Sequence, residues 1–492
     1  MCYKYFNLVQ IYELYFVSYL TILKLSRKRK KNIILKNIEL NDAGSLGKAL
    51  SKADNQKIIF TKYGVPGDIV DIQVRKKRKS YIEGDIVKFH NYSKKRTEPK
   101  CKHFELCGGC SWQNMKYEDQ LFYKSKEVAN NLERIAKISP EKTLPIIKSD
   151  KKYYYRNKME FSFSNSRWMT SNEINSKKII NDKNALGFHK SGMWSKVVDI
   201  KKCFLQTNIS NKIRNYIKQR SIELGLDFFD LTNQKGDIRT LTIRTTTLNE
   251  IMVLIQFFKD SKKANRLLND LKDMFPEISS IMYVINSKKN DTIYDLEVKC
   301  YNGKDYISEK IGDLKFKISA KSFFQTNSFQ TIKLYNIVKR FANLKGDELI
   351  YDLYCGTGTI SLFLANLVKK VIGIETVEDA VIAARENATF NKIHNAEFIW
   401  GDVKKILKNG IEGNSNPEIV ILDPPRNGLD KSVIDSVISI KPSKIIYVSC
   451  NSSTQARDLV DLNKFYNFKL SQSIDMFPQT YHVENVVLLE KI

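Results

Sequence analysis

Over about the last 170 residues, short apolar runs alternate with helix-spaced ones. LIYDLY (349–354), VIGIE (371–375), EFIW (397–400), EIVILD (418–423) and KIIYVS (444–449) are separated by amphipathic stretches such as TISLFLANLVKK and VEDAVIAARENATF. Runs of this length read as strands buried on both faces, so the alternation predicts a doubly wound, mostly parallel sheet. Upstream the pattern changes. Residues 29–95 alternate over shorter spans with Gly and Pro punctuation (NIILKNIEL, GSLGKAL, IIFTKYGVPGDIVDIQV), which predicts a small OB-like β-barrel. Residues 113–145 read as helical, with clear periodicity over 113–137, and 151–310 as mixed strands and helices. Within the latter, LTIRTTTLNEIMVLIQFF predicts two buried strands turning about Thr246 to Asn249. The expected organisation is an extension (1–28), a barrel (29–95), a central α+β domain (96–319) and an α/β domain (320–492), with the helical 113–145 stretch packing on the last.

Ligands of such a sheet bind beyond the carboxyl ends of its strands. The polar residues there follow in order: the CGTGT loop from Cys355, then Glu375, Asp402, Asp423 and Cys450. Glycines at 356 and 358 let backbone approach a ligand closely, and an acid about twenty residues on suits ribose hydroxyls. The GxGxxG of dinucleotide folds is absent. The order of acids favours S-adenosylmethionine, with another nucleotide as the alternative. DPPRNG (423–428) makes a rigid loop able to press on a flat base, or a plain stiff turn. Enzymes that methylate exocyclic amines place an aromatic residue after the prolines, and here Arg426 stands there, which disfavours amine methylation. Cys450, in SCN, has the chemistry for carbon methylation of a pyrimidine, because a thiolate adding to C6 activates C5. A lone strand-end cysteine is also a common small core residue. DMFPQTYHVE then offers Asp475, His482 and Glu484, of which Glu484 is the preferred base.

Charge narrows the partner. The 492 residues carry a formal charge of +27, in bursts such as RKRKK (27–31) and RKKRK (75–79), which suits a polyanion partner, with a lysine-rich solvated surface as the equal alternative. Eight cysteines are too few for a secreted disulfide scaffold, so a reducing cytoplasm is expected. The apolar then basic N-terminus is interrupted by Lys4, Asn7, Gln10 and Glu13; it reads as a dispensable extension, with a membrane-surface helix as the alternative and no stable membrane association expected. CKHFELCGGC (101–110) brings three thiols together, and on spacing alone zinc with His103 as fourth ligand is the default.

Taken in order, DLYCGTG, GIE, DPPRNG, SCN and FPQTYHVE resemble the RNA uracil-5-methyltransferase family, as do YYYRNKMEFS and SFFQTN. The resemblance spans about residues 29–492. It implies an N-terminal TRAM barrel that binds RNA and a C-terminal Rossmann-like class I methyltransferase domain. It further implies Cys450 as nucleophile, Glu484 as base, and Gln325, Tyr354, Glu375 and Asp423 as contacts of S-adenosylmethionine. Thr359 stands where the ribosomal group often has asparagine, and Asp402 falls near the adenine position. The cysteine pattern resembles the four-cysteine [4Fe-4S] site of the ribosomal RNA enzymes, with Cys101, Cys107, Cys110 and the distant Cys203 as ligands. Barrel and cluster together imply an enzyme acting on 23S ribosomal RNA, with transfer RNA or a catalytically silent RNA-binding role as alternatives; a monomer is expected.

Overall fold

The computed structural model describes residues 33–52, 57–176, 182–411, 413 and 416–492, so the expectations for residues 1–28 lie outside it. The chain divides into two compact units, one running to Asn41 and resuming over Ala49–Ser93, the other formed by Asp42–Lys48 and Lys94–Ile492. Among the described residues no helix is long and apolar enough to cross a membrane.

In the first unit, strands β1 (Ile34–Glu39), β2 (Ala49–Lys52), β3 (Ile58–Thr61), β4 (Ile69–Lys77) and β5 (Tyr81–Asn91) lie in the order β1-β4-β5-β3-β2. Their alternation turns Ile59, Val70, Ile72 and Ile82 inward onto Leu40 and Ala49, a core separate from the rest of the chain. The GVPGD turn is closed by Asp68, whose carboxylate accepts the N–H groups of Val65 (2.6 Å) and Ser93 (2.9 Å). The basic end of β4, Arg75 to Lys77, is exposed.

The second unit opens with helix α1 (Tyr117–Asn131), continued by one π turn (Leu132–Ala136), and strand β6 (Lys142–Ile147). The helical reading of 113–145 therefore holds for Tyr117–Ala136 and fails beyond it. Next come β7 (Lys158–Ser164), β8 (Ala185–Lys190), β9 (Met193–Asp199), α2 (Asn208–Glu223), β10 (Ile238–Thr245), β11 (Ile251–Phe257), α3 (Lys262–Met274), β12 (Ser280–Ile285) and β13 (Lys299–Gly303). Their strands form one sheet in the order β9-β8-β7-β10-β11-β12-β13. β10 and β11 are buried throughout and joined by the expected turn, in which Asn249 takes the left-handed φ of 62°. Ile213 and Ile217 of α2, with Leu267, Leu268 and Leu271 of α3, cover the sheet.

After a hairpin, β14 (Tyr306–Ile311) and β15 (Leu314–Ser319), the α/β pattern follows: α4 (Ser328–Ala342), β16 (Leu349–Leu353), α5 (Thr359–Ala365), β17 (Lys370–Glu375), α6 (Glu378–Phe390), β18 (Ala396–Trp400), α7 (Val403–Asn409), β19 (Ile419–Leu422), α8 (Lys431–Ile440), β20 (Lys444–Ser449), α9 (Ser452–Leu462), β21 (Tyr466–Ile474) and β22 (Glu484–Lys491). The sheet order is β18-β17-β16-β19-β20-β22-β21-β6, with β22 antiparallel to its neighbours and β6 parallel to β21. Both faces are buried, as the continuous apolar runs require. Ile350 joins the core beneath α4 and α5, whereas Leu349, Tyr351 and Leu353 join the opposite core, where Val128, Leu132 and Ala136 of the α1 region pack.

Candidate active site and thiol cavity

Strand register decides which side chains meet. Leu353 pairs with Ile374 on one side and Leu422 on the other, so the next residues, Tyr354, Glu375 and Asp423, share one edge of the sheet. Strand order reverses between β16 and β19, the switch point where such folds open a crevice. At the far side β20 and β22 run antiparallel with Ser449 opposite Asn485, which sets Cys450 against Glu484. A cavity of about 1880 Å³ is lined by Gln325, Tyr354, Glu375, Asp423, Cys450 and Glu484 together.

Each side chain is held from a different direction. Tyr354 has φ 65°, a strained value for a non-glycine residue, and its N–H bonds the Ile374 carbonyl at 2.9 Å. Gly358, φ 74°, has Phe398 and Ala384 so close that a Cβ would lie 2.7 Å from the ring. The Glu375 carboxylate accepts N–H groups from Thr376 (2.7 Å) and Val377 (2.9 Å) on Oε1 and from Gly356 (3.0 Å) on Oε2, leaving Oε2 the less occupied oxygen. Gln325 is placed by Asn157 of the YYYRNKMEFS segment, whose side-chain amide donates to the Gln325 carbonyl (3.0 Å) and whose N–H donates to that of Thr326 (2.9 Å). The DPPR loop is pinned to the SCN turn because the Arg426 carbonyl accepts from the Asn451 amide (2.9 Å) and the Thr454 hydroxyl (3.2 Å).

Burial governs the protonation of this site. It pushes Asp423 up to about 7, and Glu484, beside Asp423, up to about 8. Cys450 is pushed up to about 11 by burial and by Glu484 and Asp423, with Arg426 opposing. His482 also lines the cavity and is held down to about 4 by burial and the Arg426 charge.

The other candidates divide among the cavity, the core and the surface. Asp402 does not line the cavity; its carboxylate caps α7, accepting the Lys405 N–H at 3.1 Å. Asp475 is locked in the core by Lys124 (2.5 Å) and the Tyr117 hydroxyl (2.9 Å). Thr359 reaches the cavity and bonds the Tyr335 hydroxyl at 2.6 Å. Phe324 is core, whereas Phe323 is 67% exposed. Sequence reasoning passed over Asp352, which lines the same cavity with one oxygen bonded to Ser361 (2.5 Å) and the other unpartnered, its acid pushed up to about 7 by burial. The signal was an acid inside an otherwise apolar strand.

A second cavity, of about 500 Å³, is lined by Cys101, Cys107, Cys110 and Cys203. Gly108 turns the loop at φ 73°. His103 faces away, its Nε2 accepting the Lys201 N–H at 3.1 Å, so the sequence's choice between His103 and Cys203 falls to Cys203 as the fourth group at this cavity. Burial raises the Cys101 thiol and pushes Cys107 up to about 11. Among the described residues no group of three or more Cys, His, Asp or Glu side chains is arranged to hold a metal ion.

Residues 237–492 match the family model described as tRNA (Uracil-5-)-methyltransferase. Two proteins named as uncharacterized RNA methyltransferases, from Bacteroides thetaiotaomicron and Porphyromonas gingivalis, are each 46% identical, over 90% and 92% of this chain and 99% of theirs. The crystal structure of the Pyrococcus abyssi tRNA (uracil-54, C5)-methyltransferase with S-adenosyl-L-homocysteine superposes with a TM-score of 0.71 at 27% identity, covering 93% of this chain and all of that one. This chain belongs to the tRNA (uracil-5-)-methyltransferase family and is an S-adenosylmethionine-dependent RNA methyltransferase.

Proposed function

We propose that the enzyme methylates C5 of a uridine in 23S ribosomal RNA, with Cys450 as nucleophile and Glu484 as base. One observation carries the reading: Cys450 and Glu484 stand opposite each other across β20 and β22, in the cavity that Gln325, Tyr354, Glu375 and Asp423 also line. Uracil C5 is a poor nucleophile. Addition of the Cys450 thiolate to C6 moves the ring π electrons into an enolate, and C5 then attacks the donor methyl. Glu484 takes the C5 proton, and elimination of the thiolate restores the 5,6 double bond. S-Adenosylmethionine supplies the methyl group and a positive sulfonium, which offsets the mutual repulsion of ionised Asp423 and Glu484. On the chain's side, Glu375 Oε2 takes a ribose hydroxyl and Tyr354 packs on the nucleoside. Replacing Cys450 by Ala abolishes 5-methyluridine formation with RNA binding retained; continued methylation by that variant refutes the assignment.

Within the family, four thiols lining one cavity support a [4Fe-4S] cluster held by Cys101, Cys107, Cys110 and Cys203, since four soft sulfur donors suit a cubane. The five-stranded N-terminal unit with its exposed basic β4 end supports a TRAM-type RNA-binding barrel. These two features favour ribosomal RNA. The likeness to the archaeal tRNA enzyme favours a second reading, a uridine of transfer RNA. Nucleoside mapping of both RNA pools from a deletion strain separates them: loss of 5-methyluridine from 23S RNA supports the first, and loss from transfer RNA the second.

A further inference from the structure

The thiol cavity has a second end that this chemistry does not use. β7 and β10 pair antiparallel with Lys158 directly opposite Arg244, so two cations stand side by side on one face of the sheet, an arrangement that costs stability. Both line the cavity. Arg244 is only 4% exposed; one guanidinium nitrogen donates to the Ser322 carbonyl, but its equally buried Nε has no partner. Among the described residues the Lys158 ammonium makes no hydrogen bond or ion pair, and burial together with the Arg244 charge holds it down to about 8. Glu160, exposed on the same strand two residues from Lys158, also lines the cavity and attracts both cations, but forms a salt bridge with neither. Arg244 is buried and Lys158 half-buried, with only the exposed Glu160 to offset their repulsion; an anion set between them lowers it further. Nor is this end isolated, because Tyr294, Ser322, Phe323 and Phe324 line both this cavity and the larger one.

From this geometry we infer that Lys158 and Arg244 form a phosphate subsite that takes the phosphodiester next to the reacting uridine. A strand whose base reaches Cys450 has to lead its backbone out of the larger cavity, and the shared rim, marked by the exposed Phe323, leads to the paired cations. The inference rests on reading the larger cavity as the uridine's site.

Lys158→Met keeps the aliphatic stem and removes the charge. A fluorescein-labelled, uridine-containing decaribonucleotide, titrated by anisotropy over a series of KCl concentrations, should bind the variant about tenfold more weakly, with a log–log salt slope smaller by about 0.7. The melting temperature should hold or rise, because the like charge opposite the buried Arg244 is gone. A single methylphosphonate linkage moved along the oligonucleotide should weaken wild-type binding at one position and add nothing at that position in Lys158→Met. Arg244→Lys, which keeps the charge, should lose less affinity than Arg244→Met. Unchanged affinity and slope in Lys158→Met overturn the subsite, as does a loss of bound iron in step with the loss of RNA, which assigns the cations to the thiol end. Cys450→Ala in the same titration should bind as wild type, so failure of the catalytic assignment, seen as methylation by that variant, is distinguishable from failure of the subsite.

Discussion

Asp423, Glu484 and Cys450 crowd one end of the larger cavity, and desolvation pushes all three toward their protonated forms, to about 7, 8 and 11. The proposed reaction needs the carboxylate of Glu484 and the thiolate of Cys450, so single-turnover methylation should rise with pH through about 8 and go on rising toward about 11. Arg426 lowers both groups, so Arg426→Gln should move the rising limb to higher pH; an unmoved limb shows that Arg426 does not tune them. Glu484→Gln removes the acceptor for the C5 proton. Without it the thiolate cannot leave, and a covalent RNA–protein band should persist on a denaturing gel. The same variant tests the burial argument by stability. The folded-state pKa of Glu484 lies above its ordinary 4.5, so its ionisation costs stability as pH rises from 4.5 to about 8. Glu484→Gln should therefore melt with wild type at low pH and about 2 °C higher above pH 8.

At the scale of elements, the loop that delivers His482 and Glu484 is fastened by a helix from more than three hundred residues upstream. Lys124 of α1 reaches Asp475 Oδ1 and the Phe477 carbonyl (3.1 Å), while Tyr117 donates to Asp475 Oδ2 and accepts the Ser149 N–H at 2.8 Å. Lys124 and Asp475 are both fully buried, so removing one partner leaves an uncompensated charge. Lys124→Met should cost about 3–5 kcal/mol in denaturant unfolding, and adding Asp475→Asn should recover part of it; a cost within error shows that the pair does not hold the loop. This fastening was not legible in sequence, because nothing in DMFPQTYHVE separates an acid that catalyses from one that locks. The strand β6 escaped for a related reason. Pro145 inside KTLPII argues against a strand, yet at a sheet edge its missing N–H leaves no ladder bond unmade.

At the scale of the molecule, a formal charge of +27 and a thiol cavity that shares lining residues with the larger cavity both bear on the proposed RNA substrate. Anaerobic purification should yield a brown protein with about four irons per chain. Cys203→Ser should lose colour and iron, and a colourless, zinc-loaded wild-type preparation would sink the cluster. Cys203 is fixed from outside the knot: its N–H donates to the Asn211 side chain of α2 at 2.7 Å, and Arg214 donates to the same oxygen at 2.9 Å. The fourth group therefore arrives on the central domain's own scaffold.

Most of the proposed reaction site is legible in the chain, because parallel strands deliver their last residues to one edge: Tyr354, Glu375 and Asp423 each stand at the end of an apolar run of that sheet. The same periodicity fixed the turn at Thr246 to Asn249 and the α/β order. Tertiary structure decided what depends on register and packing between distant segments. It set Cys450 opposite Glu484 and turned Asp402 into a helix cap. It took Asp475 out of the chemistry and brought Cys203, not His103, to the other three thiols. It also placed Lys158 against Arg244. Spacing along a chain fixes which residues share an edge or a face; only antiparallel pairing and long-range packing fix which of them touch.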